Sequence, residues 1–547
     1  MHGTYFSLLP PLIALIFGFL TKQIIFGLLC GIVSAALIAT DGSLKDAAYL
    51  VIEKVWKNSE LSQLASWELF WQSSNLFLLL FLIALGIIVV LIGYSGGAYA
   101  YSAWIKAWIN NKKVAQIASV LLSLFLSIDD YFSSLTVGSV MQPVTDQYKI
   151  PRVKLAFLVD SLAAPLALIC PVSSWIAAII GFLNDNGISS VVTSNTLIIA
   201  DPFLTYLNVI PCIFYPFVVV VSIMYIILKP ISFGVMRVHE VIAVRNGNLF
   251  ADRVPLAGAI PEAPAFNIMS AHLRDFVYPS LALICITIAS LLATGGYEAF
   301  GGHNSLVQAF QQANASKALF ISGILSLSLI TLYFLARKRV WLKRIPGLYW
   351  DGIQLMLPTI IMLICAWALG DIMRQELATG AYVSSLIPKA ATSVLFMVPG
   401  IFLCALCIAF SMGSSFVTMA IMLPIAIPML IAVSKLQVPL DPSELPYLYL
   451  ILGALFSGAV AGNHISPLAD TTVMSASSSG AYLIDHVYAQ MLYALPIILG
   501  TAVGYLAAAC SMGIGAGWAC AIGLLVGCVT SIMVLRFFNK PIDSRRS

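Results

Sequence analysis

About a dozen apolar segments, each close to the ~20 residues that a membrane-spanning helix needs, run along this chain of 547 residues. Charged residues make up only 10% of the sequence, whereas a soluble protein carries about a quarter. This supply of polar side chains is too small to cover a globule in water. We therefore predict an all-α, polytopic membrane protein that uses the lipid bilayer as its solvent.

Short motifs of the first half return in the second half in the same order. Residues 97–99 return at 380–382 with an offset of 283, Ser127 and Phe132 return as Ser411 and Phe416 with an offset of 284, and 169–172 returns at 465–468 with an offset of 296. Three matches at nearly one offset indicate an internal repeat. The predicted organisation is N-terminal helices with an interfacial segment (1–69), a first repeat (70–229), a polar loop (230–274), connecting helices (275–350), a second repeat (351–510) and a C-terminal helix with a tail (511–547).

Equivalent loops of the two halves differ in charge. Loop 41–74 has a net charge of −2 and its partner 324–357 has +4, while 144–154 has +2 and 435–446 has −1. Because cytoplasmic loops collect Lys and Arg, equivalent loops should face opposite sides, as in inverted-topology repeats with a substrate site near mid-membrane. In an inner membrane this predicts cytoplasmic positions for 97–113, 144–154, 230–274, 337–350 and the C-terminus with Arg536, Lys540, Arg545 and Arg546.

The segment 114–142 is too long for one span and too short for two. Two arms of about 14 residues reach roughly 20 Å each at 1.5 Å per residue, less than a hydrocarbon core of about 30 Å. This predicts a re-entrant hairpin whose tip carries Asp129 and Asp130, followed by Ser133 and Ser134. The alternative is that the two aspartates cap helices at an interface. The second repeat has hydroxyls at the matching place, including Ser414 and Ser415.

Asp160 stands between apolar residues and is followed by Ser161. A carboxylate inside a membrane is costly, so it is a functional hypothesis by default. The same segment ends in a Pro-containing stretch with Ser173 and Ser174, which predicts a broken helix. The alternative is that Asp160 lies close to the cytoplasmic loop and caps a helix or pairs with Lys154.

A second polar segment, 462–472, interrupts strongly apolar flanks. Freed carbonyls, amides, hydroxyls and carboxylates are the ligands that a hard cation such as Na⁺ prefers, and an unwound helix here would supply all four. A lone histidine is more often structural than a ligand, and Asp485-His486 further along is expected near an aqueous face. The candidate residues of the segment are Asn463, His464, Ser466, Asp470, Thr471 and Thr472.

Three long motifs, at 126–175, 367–382 and 462–486, resemble the NhaC family of sodium/proton antiporters, and the likeness covers most of 70–510. The resemblance implies the fold of the wider ion-transporter superfamily, with inverted repeats, re-entrant hairpins and elevator-type motion. One departure is that the family commonly has Asp between the Gly and His that correspond to Gly462 and His464, where this chain has Asn463. The family's motif positions fall on Asp129, Asp130, Asp160, Ser173, Ser174, Asp371, Asp470, Thr471 and Thr472.

The function predicted from these features is secondary active transport, exchanging Na⁺ for H⁺ by alternating access. Asp160 and Asp470, together with Thr471, are the residues expected to bind the transported Na⁺. The alternative is a Na⁺- or H⁺-coupled carrier of an organic acid or amino acid, whose carboxylate would bind hydroxyl-rich hairpin tips.

Other classes of function fit the sequence less well. The metalloprotease pattern HExxH is missing from the chain, and the stretch Ser411–Ser415 does not fit the nucleophile elbow, so the chain is not expected to be an enzyme. The predicted partners are the bilayer and a small ion or molecule, without a cofactor beyond Na⁺ and H⁺. The net charge of +4 is spread along the chain, so nucleic acid is not an expected partner, and the sequence is compatible with a homodimer.

Overall fold

The computed structural model describes residues 5–21, 24–171, 173–193, 196–253, 272–379, 382, 392–434 and 436–539. Within those residues, nine helices are long and apolar enough to cross a membrane, or up to eleven if each of two bent pairs forms one span. The chain is therefore a multi-pass membrane protein, and the predicted all-α class is confirmed. The two short strands, Ile188–Ser189 and Ile198–Ile199, pair in parallel.

Some helices of the first half begin at side chains that cap their free amides. Asn111 accepts hydrogen bonds from the amides of Lys113 and Val114, which satisfies amides that have no partner within the helix. Asp201 caps the amide of Leu204 in the same way. The α-helices of this half are Leu9–Thr21, Ile24–Ala39, Leu44–Ser59, Trp67–Phe70, Asn75–Tyr94, Gly97–Lys106, Lys112–Phe125, Asp130–Gln147, Arg152–Ile169, Ser174–Asp185, Pro202–Val209, Phe214–Leu228 and Gly234–Asn246.

The second half continues with longer helices. The long span Ile345–Asp371 ends in a π-helical turn, Ile372–Glu376. Its α-helices are Arg274–Thr294, Leu306–Gln311, Ala315–Ala336, Ile345–Asp371, Thr392–Met412, Ser415–Ser434, Leu448–Ile465, Asp470–Ser479, Leu483–Ser511 and Ala516–Phe538.

Each half contains a helical hairpin followed by a broken helix. The first hairpin consists of Lys112–Phe125 and Asp130–Gln147, and the first broken helix of Arg152–Ile169 and Ser174–Asp185, bent by 54°. The break replaces the single helix that would otherwise cover 153–180, and it comes where Pro171 and Ser173 stand in the sequence. The predicted first hairpin and broken helix are thus present.

The second half repeats this arrangement. The second hairpin consists of Thr392–Met412 and Ser415–Ser434, and the second broken helix of Leu448–Ile465 and Asp470–Ser479. The arms of the second hairpin are about 30 Å long and those of the first about 21 and 27 Å, at 1.5 Å per residue. By length alone the second pair could cross the membrane. Both tips nevertheless pack against a break in the middle of a broken helix, as re-entrant hairpins do.

A scaffold of straight helices surrounds these elements. Asn75–Tyr94 packs against Ala315–Ala336 and Ile345–Asp371, and Ile345–Asp371 packs in turn against Ile24–Ala39. The first arm of the second broken helix, Leu448–Ile465, is 94% buried within the protein. The core of the molecule therefore lies at the broken helices.

The polar loop expected over 230–274 is partly helical, which corrects that prediction. Gly234–Asn246 forms a helix, because Met236 and Ala243 bury a short apolar face and Glu240 pairs with the buried Lys154. Three segments used in the predictions lie outside the described residues: 254–271 of this loop, 380–381 of the repeat motif, and the tail 540–547.

Candidate functional site

Four helix N-termini meet around one cavity. The helices that begin at Asp130 and Ser415 follow the two hairpin tips, and those that begin at Ser174 and Asp470 follow the two breaks. Each N-terminus carries a partial positive charge from its free amides. The cavity is lined by Asp130, Tyr131, Trp175, Met362, Gly413, Ser414, Ser415, Phe416, Asn463, Asp470 and Thr471.

Hydrogen bonds hold each hairpin against the break of its own repeat. In the first repeat the Ser174 amide donates to the Ile128 carbonyl at 2.9 Å. In the second, the Ser466 hydroxyl donates to the Phe410 carbonyl at 2.7 Å, and the Ser415 hydroxyl donates to the Ala459 carbonyl at 3.0 Å. The tips are thereby held at the depth of the breaks.

Two further contacts cross between the repeats. The Tyr131 hydroxyl, at the first tip, donates to the Asp470 carboxylate at the second break over 3.4 Å. The ring of Trp175, at the first break, packs on that of Phe416, at the second tip, with centroids 4.7 Å apart. The wall of the cavity is therefore an interface between the two halves.

The cavity is small and rich in oxygen atoms. It leaves about 20 Å³ for the centres of water-sized molecules, which is room for one or two waters. Asp130 is buried and Asp470 is exposed, so the cavity is closed beside Asp130 and open beside Asp470. Asn463 Oδ1 and Thr471 Oγ1 are buried and have no hydrogen-bond partner. Leaving such an atom unpaired costs about 1–3 kcal/mol, so a cation here would supply a contact that these atoms lack.

Asp160 lies in a different cluster from Asp470. It is in the middle of the unbroken arm Arg152–Ile169 rather than at the break, and it is not among the residues that line the cavity. Its Oδ2 accepts a 2.6 Å hydrogen bond from Gln490 Nε2 and lies 3.3 Å from His486 Nε2. Lys154 pairs with Glu240 instead. The pair expected to lead the site is thus divided between two clusters.

The side chains of the neighbours Asn463 and His464 lie in different surroundings. Asn463 lines the cavity, whereas His464 is bonded on both ring nitrogens, to the Ser161 hydroxyl at 2.8 Å and the Tyr215 hydroxyl at 2.5 Å. His486 is fully buried rather than near water. The structure therefore places His464, Ser161 and His486 with Asp160.

The other predicted residues take supporting positions near the cavity. The Ser173 hydroxyl donates to the Ala167 carbonyl at 2.6 Å, which closes the end of the first arm. Asp129 is buried beside Asp130 at the first tip. Three predicted hydroxyl groups are buried without a hydrogen-bond partner but do not line the cavity: Ser133, Ser134 and Thr472.

Asp371, a motif position by family resemblance, forms ion pairs away from the cavity. Lys54, on the amphipathic helix Leu44–Ser59, approaches its carboxylate to 3.1 Å and that of Glu376 to 2.9 Å. Lys54 is buried although its neighbours Tyr49 and Ile52 are exposed. This group ties the predicted interfacial segment to the end of Ile345–Asp371.

Several residues of the site were missed by sequence reasoning. Tyr131 and Trp175 stand next to predicted residues, but aromatic side chains in apolar segments carry no signal of their own. The same holds for Met362. Gln490 did carry a signal, since an amide inside the apolar helix Leu483–Ser511 needs a partner there just as Asp160 does.

Comparison with known proteins agrees with the sequence motifs. The profile of the Na⁺/H⁺ antiporter family matches residues 166–510. An uncharacterized protein of Haemophilus influenzae is 30% identical over 532 residues, which is 96% of this chain and 95% of that protein. Two solved structures are more distantly similar. The YdaH transporter of Alcanivorax borkumensis is 12% identical, with 91% of each chain covered and a TM-score of 0.49.

The second structure is MtrF of Neisseria gonorrhoeae, described with a class of antimetabolite efflux pumps. It is 13% identical, covers 92% of this chain and 87% of its own, and has a TM-score of 0.45. Scores of this size add nothing to the assignment, which rests on the family profile and on the relative. The chain therefore belongs to the Na⁺/H⁺ antiporter family, as its NhaC-like motifs predicted, and is a secondary transporter.

Proposed function

We propose that this transporter exchanges Na⁺ for H⁺ across the inner membrane and binds Na⁺ in the cavity between the hairpin tips and the breaks. The observation that carries the proposal is that Asp130 and Asp470, one from each repeat, line the same cavity. Two carboxylates supply the negative charge that a cation needs. Thr471 and Asn463 add buried oxygen atoms without hydrogen-bond partners.

The size of the cavity also favours an ion over an organic molecule. Its ~20 Å³ of free space is enough for one or two waters, and hence for a cation of that size. A charged carboxylate without a partner is costly inside a membrane. Either a bound cation or a proton satisfies it, so a form loaded with one of the two ions is the one able to move between the two sides.

The exposed position of Asp470 and the buried position of Asp130 fit an alternating-access cycle. In this conformation the cation would enter beside the exposed Asp470 and be held at the closed end of the cavity by Asp130. The hairpin tips, held to the broken helices by one hydrogen bond in the first repeat and two in the second, are suited to part on one side and then on the other. The helix Gly234–Asn246 and loop 337–350 are proposed to face the cytoplasm.

Proteoliposomes that contain the purified protein and a pH-sensitive dye test this proposal. An inward Na⁺ gradient should drive protons out of the vesicles, and Asp470→Asn should lower that flux by about 100-fold, or about 3 kcal/mol, because it removes one of the two carboxylates that would hold the cation. The control is Thr287→Val, a buried threonine whose hydroxyl bonds only within its own scaffold helix. Equal fluxes in Asp470→Asn and the wild type would contradict the proposal.

A second candidate function is coupled transport of an organic acid or amino acid. The observation that favours it is the meeting of four helix N-termini at the cavity, because such ends attract anionic groups of substrates in other transporters. Adding a panel of organic acids and amino acids to the same vesicles distinguishes the two. Ion flux that appears only with an organic solute would favour the carrier, whereas flux in simple salt solutions favours Na⁺/H⁺ exchange.

A further inference from the structure

Beside the cavity lies a second buried polar cluster, centred on Asp160. His486 and Gln490 are one helical turn apart on Leu483–Ser511, so both side chains lie on one face. Both approach the same oxygen of Asp160, at 3.3 and 2.6 Å. All three side chains are shielded from solvent, with Asp160 only 1% exposed. Two polar side chains on one face of this helix therefore contact the same buried carboxylate.

Three atoms of this cluster have no hydrogen-bond partner: Asp160 Oδ1, His486 Nδ1 and Gln490 Oε1. A carboxylate oxygen can accept a proton and an imidazole can carry one on either nitrogen. The other titratable groups that face Asp160 are His464, from the second broken helix, and Tyr215, from Phe214–Leu228. No positive lysine or arginine forms an ion pair with Asp160 among the described residues. The cluster thus has the parts of a proton site.

The first turn of the same helix carries a charged group that reaches the surface of the protein. Asp485, immediately before His486, lies 3.0 Å from Arg253 and 3.7 Å from His239. The Arg253 side chain is 53% exposed. His486 is therefore one residue away from a charged group at an aqueous surface.

The Gln490 amide connects Asp160 to the second break, beside the cavity. Gln490 Nε2 donates both to Asp160 Oδ2 and to the backbone carbonyl of His464. That carbonyl lies in the last turn of Leu448–Ile465, next to Asn463, which lines the cavity. A change in the charge of Asp160 alters how strongly it holds the Gln490 amide. It thereby changes the bonding at the second break.

We propose that Asp160 is the proton-carrying carboxyl of this transporter, separate from the cation cavity, loaded through His486 and coupled to the cavity through Gln490. This rests on the proposed Na⁺/H⁺ exchange. In the loading step, His486 passes its Nε2 proton to Asp160 Oδ2, and His486 Nδ1 takes a proton from water on the Asp485 side. One proton leaves the water, and both side chains end neutral. Release is the reverse.

Two assays on the same proteoliposomes separate the two sites. Exchange of ²²Na⁺ for Na⁺ at equal pH requires the cavity alone, whereas Na⁺-driven proton flux requires the proton site as well. We expect Asp160→Asn to keep ²²Na⁺/Na⁺ exchange at saturating Na⁺ and to lose about 100-fold of the proton flux, a typical contribution of a positioned acid–base group. We expect the apparent Na⁺ affinity of the wild type to fall with acid, and that of Asp160→Asn no longer to depend on pH. Asp470→Asn should lose both activities.

Each other outcome overturns the proposal in a recognisable way. If Asp160→Asn loses ²²Na⁺/Na⁺ exchange as Asp470→Asn does, Asp160 belongs to the cation site. If it keeps proton flux and the wild-type pH dependence, Asp160 carries no proton. Should Asp160→Asn fail to fold, His486→Gln decides instead: a wild-type pH profile in that variant overturns the proposal. A wild type without ²²Na⁺/Na⁺ exchange would contradict the proposed function itself.

Discussion

The two repeats place similar helix starts around the cavity but equip them with opposite side chains. At the hairpin tips, Asp130 of the first repeat corresponds to Ser415 of the second, an offset of 285. At the breaks the order is reversed, since Ser174 corresponds to Asp470 at an offset of 296. Each repeat therefore has one helix that starts with Asp and one that starts with Ser. In the first repeat the Asp is at the tip and the Ser at the break, and in the second repeat the two are exchanged.

This exchange divides the cavity into a charged and a neutral diagonal. The charged diagonal runs from the first tip to the second break, where Tyr131 donates to Asp470 beside Asp130. The neutral diagonal runs from the second tip to the first break, where Phe416 packs on Trp175. Repetition therefore supplies four similar helix ends, and the side chains then concentrate the negative charge on one side of them. A cation site needs that asymmetry, and a symmetric pair of tips would not supply it.

The largest effect is expected from removing the charge at the first tip. Asp130→Asn should lower Na⁺-driven proton flux by about 100-fold, because it removes one of two carboxylates from a buried site. Ser415→Ala, its counterpart on the neutral diagonal, loses one hydrogen bond to the Ala459 carbonyl and should cost only about fivefold, or about 1 kcal/mol. Flux measured in proteoliposomes at matched protein density provides the comparison. Equal losses in the two variants would mean that the diagonals do not differ in function.

The architecture could be read from the sequence, because it depends on features that act locally. The apolar lengths, the arms of 114–142 and the Pro171–Ser174 stretch were sufficient for the first hairpin and the first broken helix. The repeat offsets also related Ser411 and Phe416 to Ser127 and Phe132. These features concern one segment at a time or compare two segments directly.

The division of Asp160 and Asp470 between two clusters could not be read in the same way. A carboxylate in an apolar segment shows that it needs a partner, but not which helix supplies the partner. Met362 and Trp175 are apolar residues in apolar helices, so the hydrophobic pattern of the sequence could not show that they line the cavity. Tertiary packing decides which residues of two helices face each other. A sequence signal for such a contact was Gln490, whose amide lies in an apolar helix and needs a partner on another helix.

An intermediate effect is expected where the tips differ in backbone. Gly413 has a φ of +67°, and a Cβ there would lie 2.7 Å from the backbone carbon of Leu468. The equivalent residue of the first tip, Ile128, carries a full side chain and contacts its break through its carbonyl. Gly413→Ala should therefore push the second tip away from its break, lowering transport about tenfold and stability by about 1–3 kcal/mol.

Gly400, on the first arm of the same hairpin, is the matched control. A Cβ added at Gly400 meets nothing within 4 Å, so Gly400→Ala should leave transport unchanged and stabilise the helix by about 0.5–1 kcal/mol. Thermal unfolding in detergent, followed alongside transport, checks both variants. Wild-type melting and transport in Gly413→Ala would show that the tip does not need its close contact with the break.

The smallest effect is expected from replacing the tyrosine of the first tip, Tyr131, by the phenylalanine found at the second tip. Tyr131 and Phe416 are each the second residue of the helix that follows their tip, so the structure pairs them at an offset of 285, whereas the sequence motif paired Phe416 with Phe132. They differ by the hydroxyl that donates to Asp470 at 3.4 Å. A long hydrogen bond to a partly exposed carboxylate contributes less than about 1 kcal/mol. Tyr131→Phe should therefore change the apparent Na⁺ affinity by less than about fivefold and leave the maximal rate near that of the wild type. A loss as large as that of Asp130→Asn would instead mean that the hydroxyl itself contacts the transported ion, and the charged diagonal would then consist of three ligands rather than two carboxylates.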